Sequence, residues 1–213
     1  MSLTLGIDTS TDVRVGLATE GAVLASAAVT DTRAHAEQLM PLIRDTLRRA
    51  GCRLGDVTRV VVGVGPGPFT GLRVGVASAQ TLGFALGVEV RGVCSLDACA
   101  AGYDGTAGEF LVLSDARRRE VYWARYAADG SRLTGPFVGP VSELPQLPVT
   151  GPGAVLAGGT ASPLDGGLLA LAGPSLPDAG LSPLYLRRPD AEVPSKRKST
   201  LLQPRLAAGW SKR

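Results

Sequence analysis

The sequence predicts an α/β protein in which one unit is used twice. Three observations carry that prediction. Short runs of apolar residues at period two alternate with longer runs at helical spacing, in the order three strands, helix, strand, helix, strand. A strand that ends in Asp and leads into a hairpin occurs near the start of each half. With 213 residues, 45% of them hydrophobic and 19% charged, the chain can bury one large core or two small ones.

The elements follow in order. Leu3, Leu5 and Ile7 alternate with Thr4 and Gly6, a strand ending at Asp8. Val13, Val15 and Leu17 form a second, Glu20-Gly21 a turn, and Val23, Ala25, Ala27 and Val29 the return strand. Ala36, Leu39, Met40, Ile43, Leu47 and Ala50 recur at helical spacing, with Gly51 as the C-cap. Pro41 is expected to kink that helix or to mark its first turn. A strand at Val57–Val64, a Gly- and Pro-rich loop, a helix from about Thr70 to Leu86 and a strand at Val88–Val93 complete the half.

The second half opens the same way. Phe110 to Leu113 run into Asp115, the alternation continues through Val121, Trp123 and Arg125, and Asp129-Gly130 stands where Glu20-Gly21 stood. Gly135 to Gly180 is crowded with Gly and Pro, and only a strand at Ala154–Leu156 is predicted there. The expected organisation is a first subdomain over 1–103, a second over 104–190 and a tail over 191–213. Ser195 to Arg213 hold six of the 22 basic residues and none of the 19 acids, so the body carries a formal −3. Two readings of the tail stay open: a solvated end, or a contact for RNA or an acidic partner.

The loop Gly63 to Thr70 is the most distinctive stretch. Such strand–loop–helix junctions bring backbone close to an anion or to another protein. A Walker A reading fails, because no lysine occurs before Lys196, and the Rossmann spacing puts Pro68 or Thr70 at its third glycine. Asp8-Thr9-Ser10-Thr11 could support a hydrated cation and face phosphate oxygens, with Asp115 as its counterpart, or be a polar turn. The following helix has Gly71, Gly75, Ala79 and Gly83 in one stripe and Arg73 as its only charge. Being apolar nearly all round, it must be covered all round, by a partner or by its own domain. Arg117 and Arg118 in the turn Asp115 to Glu120 could hold phosphate or be solvated charges.

Other chemistries are excluded or unsupported. One histidine, His35, rules out a histidine-rich metal site. Three cysteines without C-x-x-C spacing suggest free thiols in a reducing compartment. Met1-Ser2 leads straight into a strand, and no apolar run is long enough for a membrane span, so a cytoplasmic protein is expected.

Four stretches together carry a resemblance. Gly6-Ile7-Asp8-Thr9-Ser10-Thr11, Gly65-Pro66-Gly67-Pro68-Phe69-Thr70-Gly71-Leu72-Arg73-Val74-Gly75, Asp115-Ala116-Arg117-Arg118-Arg119-Glu120-Val121-Tyr122 and Pro183-Leu184-Tyr185-Leu186-Arg187 are similar to landmarks of the TsaB (YeaZ) family. The resemblance covers about Leu3 to Arg188. It is poor over 136–180 and ends after Asp190, and Pro68 stands where the family usually has Ser.

The resemblance implies an actin/Hsp70/sugar-kinase-like fold of duplicated RNase H-like subdomains, the second shortened. It also implies a non-catalytic subunit that helps install threonylcarbamoyl on tRNA adenosine. The implied partner is TsaD, a larger paralogue that binds metal and transfers the group. A TsaE-like ATPase and tRNA join through the complex, and a homodimer is a further possibility. ATP and metal are expected in the partners, with no tightly bound cofactor, catalytic residue or metal ligand here. Carried over, the interface would comprise His35, Leu39, Ile43, Phe69, Leu72, Arg73, Gly75, Val76 and Ala79. Asp8, Thr9, Ser10 and Asp115 would be vestigial phosphate-loop residues. Two alternatives stand beside this reading: an autonomous kinase using Leu156 to Thr160 for adenosine, and a glycoprotease-like peptidase, for which no nucleophile–base pair is visible.

Overall fold

The computed structural model describes residues 2–30, 35–103 and 108–187. In the first half, β1 (Thr4–Asp8), β2 (Val13–Ala18) and β3 (Val23–Val29) form an antiparallel meander. Helix α1 (His35–Arg49) then leads to β4 (Arg59–Gly63), α2 (Phe69–Leu86) and β5 (Glu89–Val93). Both β4 and β5 run parallel to β1, giving the sheet order β3-β2-β1-β4-β5. The sequence order of these elements is the one expected.

Helix α1 runs unbroken through Pro41 and ends where Gly51 takes φ +67°. There the Cys52 amide reaches back to the Leu47 carbonyl at 2.9 Å, which satisfies a carbonyl the helix end would orphan.

The second half repeats the pattern with fewer strands. Strands β6 (Phe110–Asp115), β7 (Glu120–Tyr126) and β8 (Arg132–Pro140) form the meander, and β9 (Val149–Thr150) pairs parallel to β6. The order β8-β7-β6-β9 is that of the first sheet without its fifth strand. This is the actin-like duplicated fold with a shortened second unit.

The strand expected at Ala154–Leu156 is instead a 3-10 turn, Ala154–Ala157. Gly158 closes it at φ +78°, and Val155 and Leu156 face outward. Two short helices went unforeseen, α3 (Ser95–Ala101) and α4 (Gly166–Ala172). They also cross the expected boundary between subdomains. Leu96 and Ala100 of α3 pack with Phe110, Val112 and Tyr126 of the second sheet. Leu169 of α4 packs with Val61 and Val93 of the first. Each half therefore covers part of the other's sheet, and a cut at residue 103 would strip both cores.

Helices α1 and α2 lie on the opposite face of the first sheet from α4. Leu39, Ile43 and Leu47 from α1 and Val76, Ala79 and Leu82 from α2 join Leu5, Ile7, Val15, Val60 and Val62 in one buried cluster. Among the described residues, no helix is long and apolar enough to cross a membrane.

Candidate functional site

The end of β1 is a hub of hydrogen bonds. The Asp8 carboxylate accepts from the Ser10 amide (2.8 Å), the Ser10 hydroxyl (2.7 Å) and the Ser95 hydroxyl (2.5 Å). Ser95 Oγ in turn accepts from the Gly65 amide at 3.1 Å, and Gly65 O accepts from the Ser95 amide at 2.8 Å. The glycine loop thus presses its backbone on the chain's own first turn. A Cβ on Gly63 would lie 1.7 Å from Asp8 Oδ2, and one on Gly67 2.5 Å from the Ser10 carbonyl oxygen. Thr9 points to the helix and donates to the Gly71 carbonyl at 2.7 Å.

This geometry bears on the two readings left open for the turn, cation support and a polar turn. Asp8 is fully buried and engaged by three donors, so it does not fit the support of a hydrated cation. Burial holds its carboxyl above the ordinary range, against the hydrogen bonds from Ser10 and Ser95. The sign follows. A carboxyl raised in the folded state stabilises below its unfolded pKa, and that contribution is lost as pH rises through the folded value. Going from pH 4 to pH 7, the unfolding free energy of Asp8→Asn should therefore gain on that of the parent. Urea titrations at the two pH values check this, and a gap independent of pH would contradict it.

Ser10 and Asp115, from equivalent turns of the two halves, do come together. They line a cleft of about 230 Å³ with Thr11, Asp12, Thr30, Pro68, Arg117 and Pro152. It is smaller than the roughly 300–1,000 Å³ of pockets that enclose a drug-sized ligand. Its carboxylates are already engaged: Arg14 forks onto Asp12 at 2.8 and 2.6 Å, and Asp115 accepts from the Arg117 amide at 2.7 Å. Although burial works the other way, Arg14 and Thr11 hold Asp12 below the usual carboxylate range.

The turn after Asp115 is unusual in its backbone. Arg117, Arg118 and Arg119 have φ values of +64°, +54° and +62°. For a residue with a Cβ that region costs roughly 1–2 kcal/mol.

The sequence reading also misplaced most of the outer face. Leu39, Ile43, Leu72, Gly75, Val76 and Ala79 are buried in the chain's own core, so none is available to a partner. The small-residue stripe faces inward: a Cβ on Gly75 would lie 2.2 Å from Thr9 Oγ1, and one on Gly83 2.0 Å from Val90 Cγ2. Of the nine expected contacts, Phe69 and Arg73 are exposed, and the side chain of His35 lies outside the described residues.

The surface of α2 is made by Phe69, Thr70, Arg73, Ala77, Gln80, Thr81, Phe84 and Ala85. Phe84 is 92% exposed. At the other end of the helix, the Arg73 guanidinium sits 3.9 Å from the centre of the Phe69 ring and its Nε donates to Tyr185 OH at 3.1 Å. Tyr185 stacks on Phe69 with centroids 4.8 Å apart.

Among the described residues, no group of three or more His, Cys, Asp or Glu is placed to hold a metal ion. Burial pushes the Cys94 thiol up to about 12 and raises Cys99 as well, so both are held as inert thiols.

Comparison with known proteins places this geometry. The family model that matches residues 23–159 is described as TsaD: tRNA N6-adenosine threonylcarbamoyltransferase. YeaZ from Pseudomonas aeruginosa superposes with a TM-score of 0.71 at 30% identity, over 87% of this chain and all of that one. The chain belongs to the TsaB (YeaZ) family. An uncharacterized protein of Mycobacterium tuberculosis is 44% identical over 208 residues, 90% of this chain and 95% of that one. The Escherichia coli relative, named tRNA threonylcarbamoyladenosine biosynthesis protein TsaB, is 40% identical over 130 residues, 59% of this chain and 55% of its own length.

Within the TsaB family's loop, Pro68 occupies the N-cap of α2 with φ −62° and makes no side-chain cap. The Leu72 amide bonds its carbonyl at 3.1 Å. Phe84 and Tyr185 are the surface residues missed by sequence reading. Phe84 was legible in principle: eleven residues beyond Arg73 at 100° per residue, it falls within roughly 20° of the helix's one charge.

Proposed function

We propose that this TsaB-family chain is a non-catalytic scaffold subunit in tRNA N6-threonylcarbamoyladenosine biosynthesis, pairing with and activating a TsaD-like paralogue. The observation that carries the reading is the uncovered outer face of α2, with Phe84 92% exposed beside Ala77, Thr81 and Ala85. A large aromatic ring left in water among small residues is a ready anchor for a facing helix. The match to a family model described as TsaD supports a partner of similar shape. The inward commitment of Asp8 and Thr9 supports leaving ATP, metal and group transfer to partner subunits, a TsaE-like ATPase among them. Binding of tRNA would then occur through the assembled complex, in the cytoplasm, with a homodimer through the same face when the partner is absent.

Light scattering of the full chain mixed with its TsaD-like paralogue tests this. A species with the summed mass is expected, with threonylcarbamoyl transfer to tRNA faster than by the paralogue alone. A chain that ignores the paralogue would overturn the proposal. Nucleotide turnover by the isolated chain would instead favour an autonomous kinase.

A further inference from the structure

We propose that the outer edge of β3 pairs, antiparallel across a two-fold axis, with β3 of a second copy of this chain. The inference goes beyond the proposed function and uses neither α2 nor the cleft. A strand at the end of a sheet leaves every second residue with an unpaired N–H and C=O, and proteins cover or blunt such edges to stop them pairing.

The two sheets end in four strands: β3, β5, β8 and β9. Three of these edges are covered or blunted. The segment 176–180 runs beside β5, where the Ala179 amide donates to the Gly92 carbonyl at 2.9 Å and Arg91 Nη2 to the Leu176 carbonyl at 2.6 Å. Strand β8 carries Arg132, and its Pro136 and Pro140 offer no N–H. Strand β9 is two residues long. By contrast, Val23–Val29 reads VLASAAV, without a charge, a proline or a glycine. Among the described residues, the backbone of β3 hydrogen-bonds only to β2. Its one irregularity, where the register on β2 shifts between Leu17 and Ala18, lies at the Leu24 end and leaves residues 25–29 regular.

The strand is also a fixed template. Val29 packs on the cluster that holds Leu39 and Ile43 of α1. On the other face, Ser26 Oγ donates to Asp165 Oδ2 at 2.7 Å and accepts from the Gly167 amide at 3.3 Å, and a Cβ on Gly167 would lie 2.3 Å from Val23 Cγ1. Helices on both faces hold the strand while its edge stays open, so pairing costs little further ordering.

The side chains of the edge select the occupant. They offer no charge or aromatic ring to choose a foreign strand, and they are self-complementary. With Ala27 on the axis, Ala27 meets Ala27, Ser26 meets Ala28 and Ala25 meets Val29, so small and apolar groups lie opposite one another. Each copy brings this one open edge among its described residues, so association closes at two. Helix α2 packs over β4 and β5, away from β3, and two chains joined at β3 keep both α2 faces free.

Sedimentation of the full chain tests this, with Phe84→Asp in every sample to close the α2 face to a second copy. A lone strand pair is at the low end of interface sizes, below roughly 1,200 Å², so one chain mass is expected near about 1 µM and two near about 100 µM. Ala27→Lys and Ala27→Glu each set like charges face to face at the axis and should weaken association about tenfold. Mixing the two in equal amounts should restore the dimer, because the two-fold contact then sets lysine against glutamate. Ala27→Thr keeps the edge neutral and should pair as the parent does. Ala27 is half-buried, so the same charge pair is repeated at the exposed Ala28, whose mate lies about 7–8 Å away across the axis. Melting curves show that each variant folds.

A single chain mass up to about 100 µM would overturn the inference, as would growth beyond two chains. So would folded charged variants that dimerise as well as the parent, or mixtures no better than either variant alone. The proposed function is read separately: the chain without Phe84→Asp either gains the paralogue's mass near about 1 µM or does not, whatever the state of β3.

Discussion

Gly75→Leu is expected to cost the fold about 2–4 kcal/mol, and not to yield a monomer as stable as the parent that has merely lost a partner. Even a methyl group at this position would sit 2.2 Å from Thr9 Oγ1, and Thr9 cannot retreat without breaking its 2.7 Å bond to the Gly71 carbonyl. Overpacking of this kind costs roughly 1–3 kcal/mol and the lost hydrogen bond about another 1. Against a typical total of about 5–15 kcal/mol, that is a large loss.

A double-mutant cycle separates this account from general intolerance of the helix. Gly75→Ala alone should destabilise by about 1–2 kcal/mol, after the roughly 1 kcal/mol that alanine gains over glycine in a helix. In a Thr9→Ala background the remaining contact is with Thr9 Cβ at 3.4 Å, an ordinary separation, and the same substitution should become neutral or stabilising. Denaturant titrations of the four proteins give the sign directly. A Gly75→Ala cost that is the same in both backgrounds would show that Thr9 is not what the glycine accommodates.

This cycle also states what the two sequence motifs are to one another. Asp8-Thr9-Ser10 reads alone as a phosphate turn, and Gly71 to Gly83 reads alone as a surface for a second helix. In the fold the one fills the other. Thr9 occupies the groove between Gly71 and Gly75, and Ser95 ties Asp8 to the glycine loop.

The legibility of the rest follows the same physics. Strands β1, β2, β4 and β6 could be read because nearly every residue in them is buried, so their apolar content is unambiguous. Helix α4 could not, because it begins Gly166-Gly167 and spans seven residues. Those glycines look like loop punctuation, yet each lets the helix backbone lie on the sheet: a Cβ on Gly16 would meet Gly166 C at 2.1 Å, and one on Gly166 would meet Val15 C at 2.4 Å. The outer face of α2 was misread for a related reason. On a helix with so few polar residues, composition does not say which stripe faces water. The answer depends on Thr9, far away in sequence, and on Val90 in the strand that follows the helix.

Phe84→Asp is expected to weaken pairing with the TsaD-like paralogue at least about 100-fold while leaving the monomer as stable as the parent. The second half of that statement is the firmer test of cause. At 92% exposure the ring contributes almost nothing to the chain's own core, and a solvent-facing substitution of this kind changes stability by about 0.5 kcal/mol or less. At the centre of an interface, a buried phenylalanine is worth about 2 kcal/mol or more. An aspartate in its place adds the desolvation of an unpaired charge, which carries the loss past two decades at about 1.4 kcal/mol each.

A matched control makes the result specific. Leu133 is 46% exposed on β8 of the second sheet, away from α1 and α2. Leu133→Asp should therefore leave pairing unchanged. Met40 lies on the outer side of α1 at 37% exposure, and Met40→Asp should produce an intermediate loss if both helices share the contact. Affinities by calorimetry for the three variants, with melting curves for each, decide the matter. If Phe84→Asp pairs as the parent does, or if Leu133→Asp is the variant that fails, the docking face lies elsewhere on the molecule.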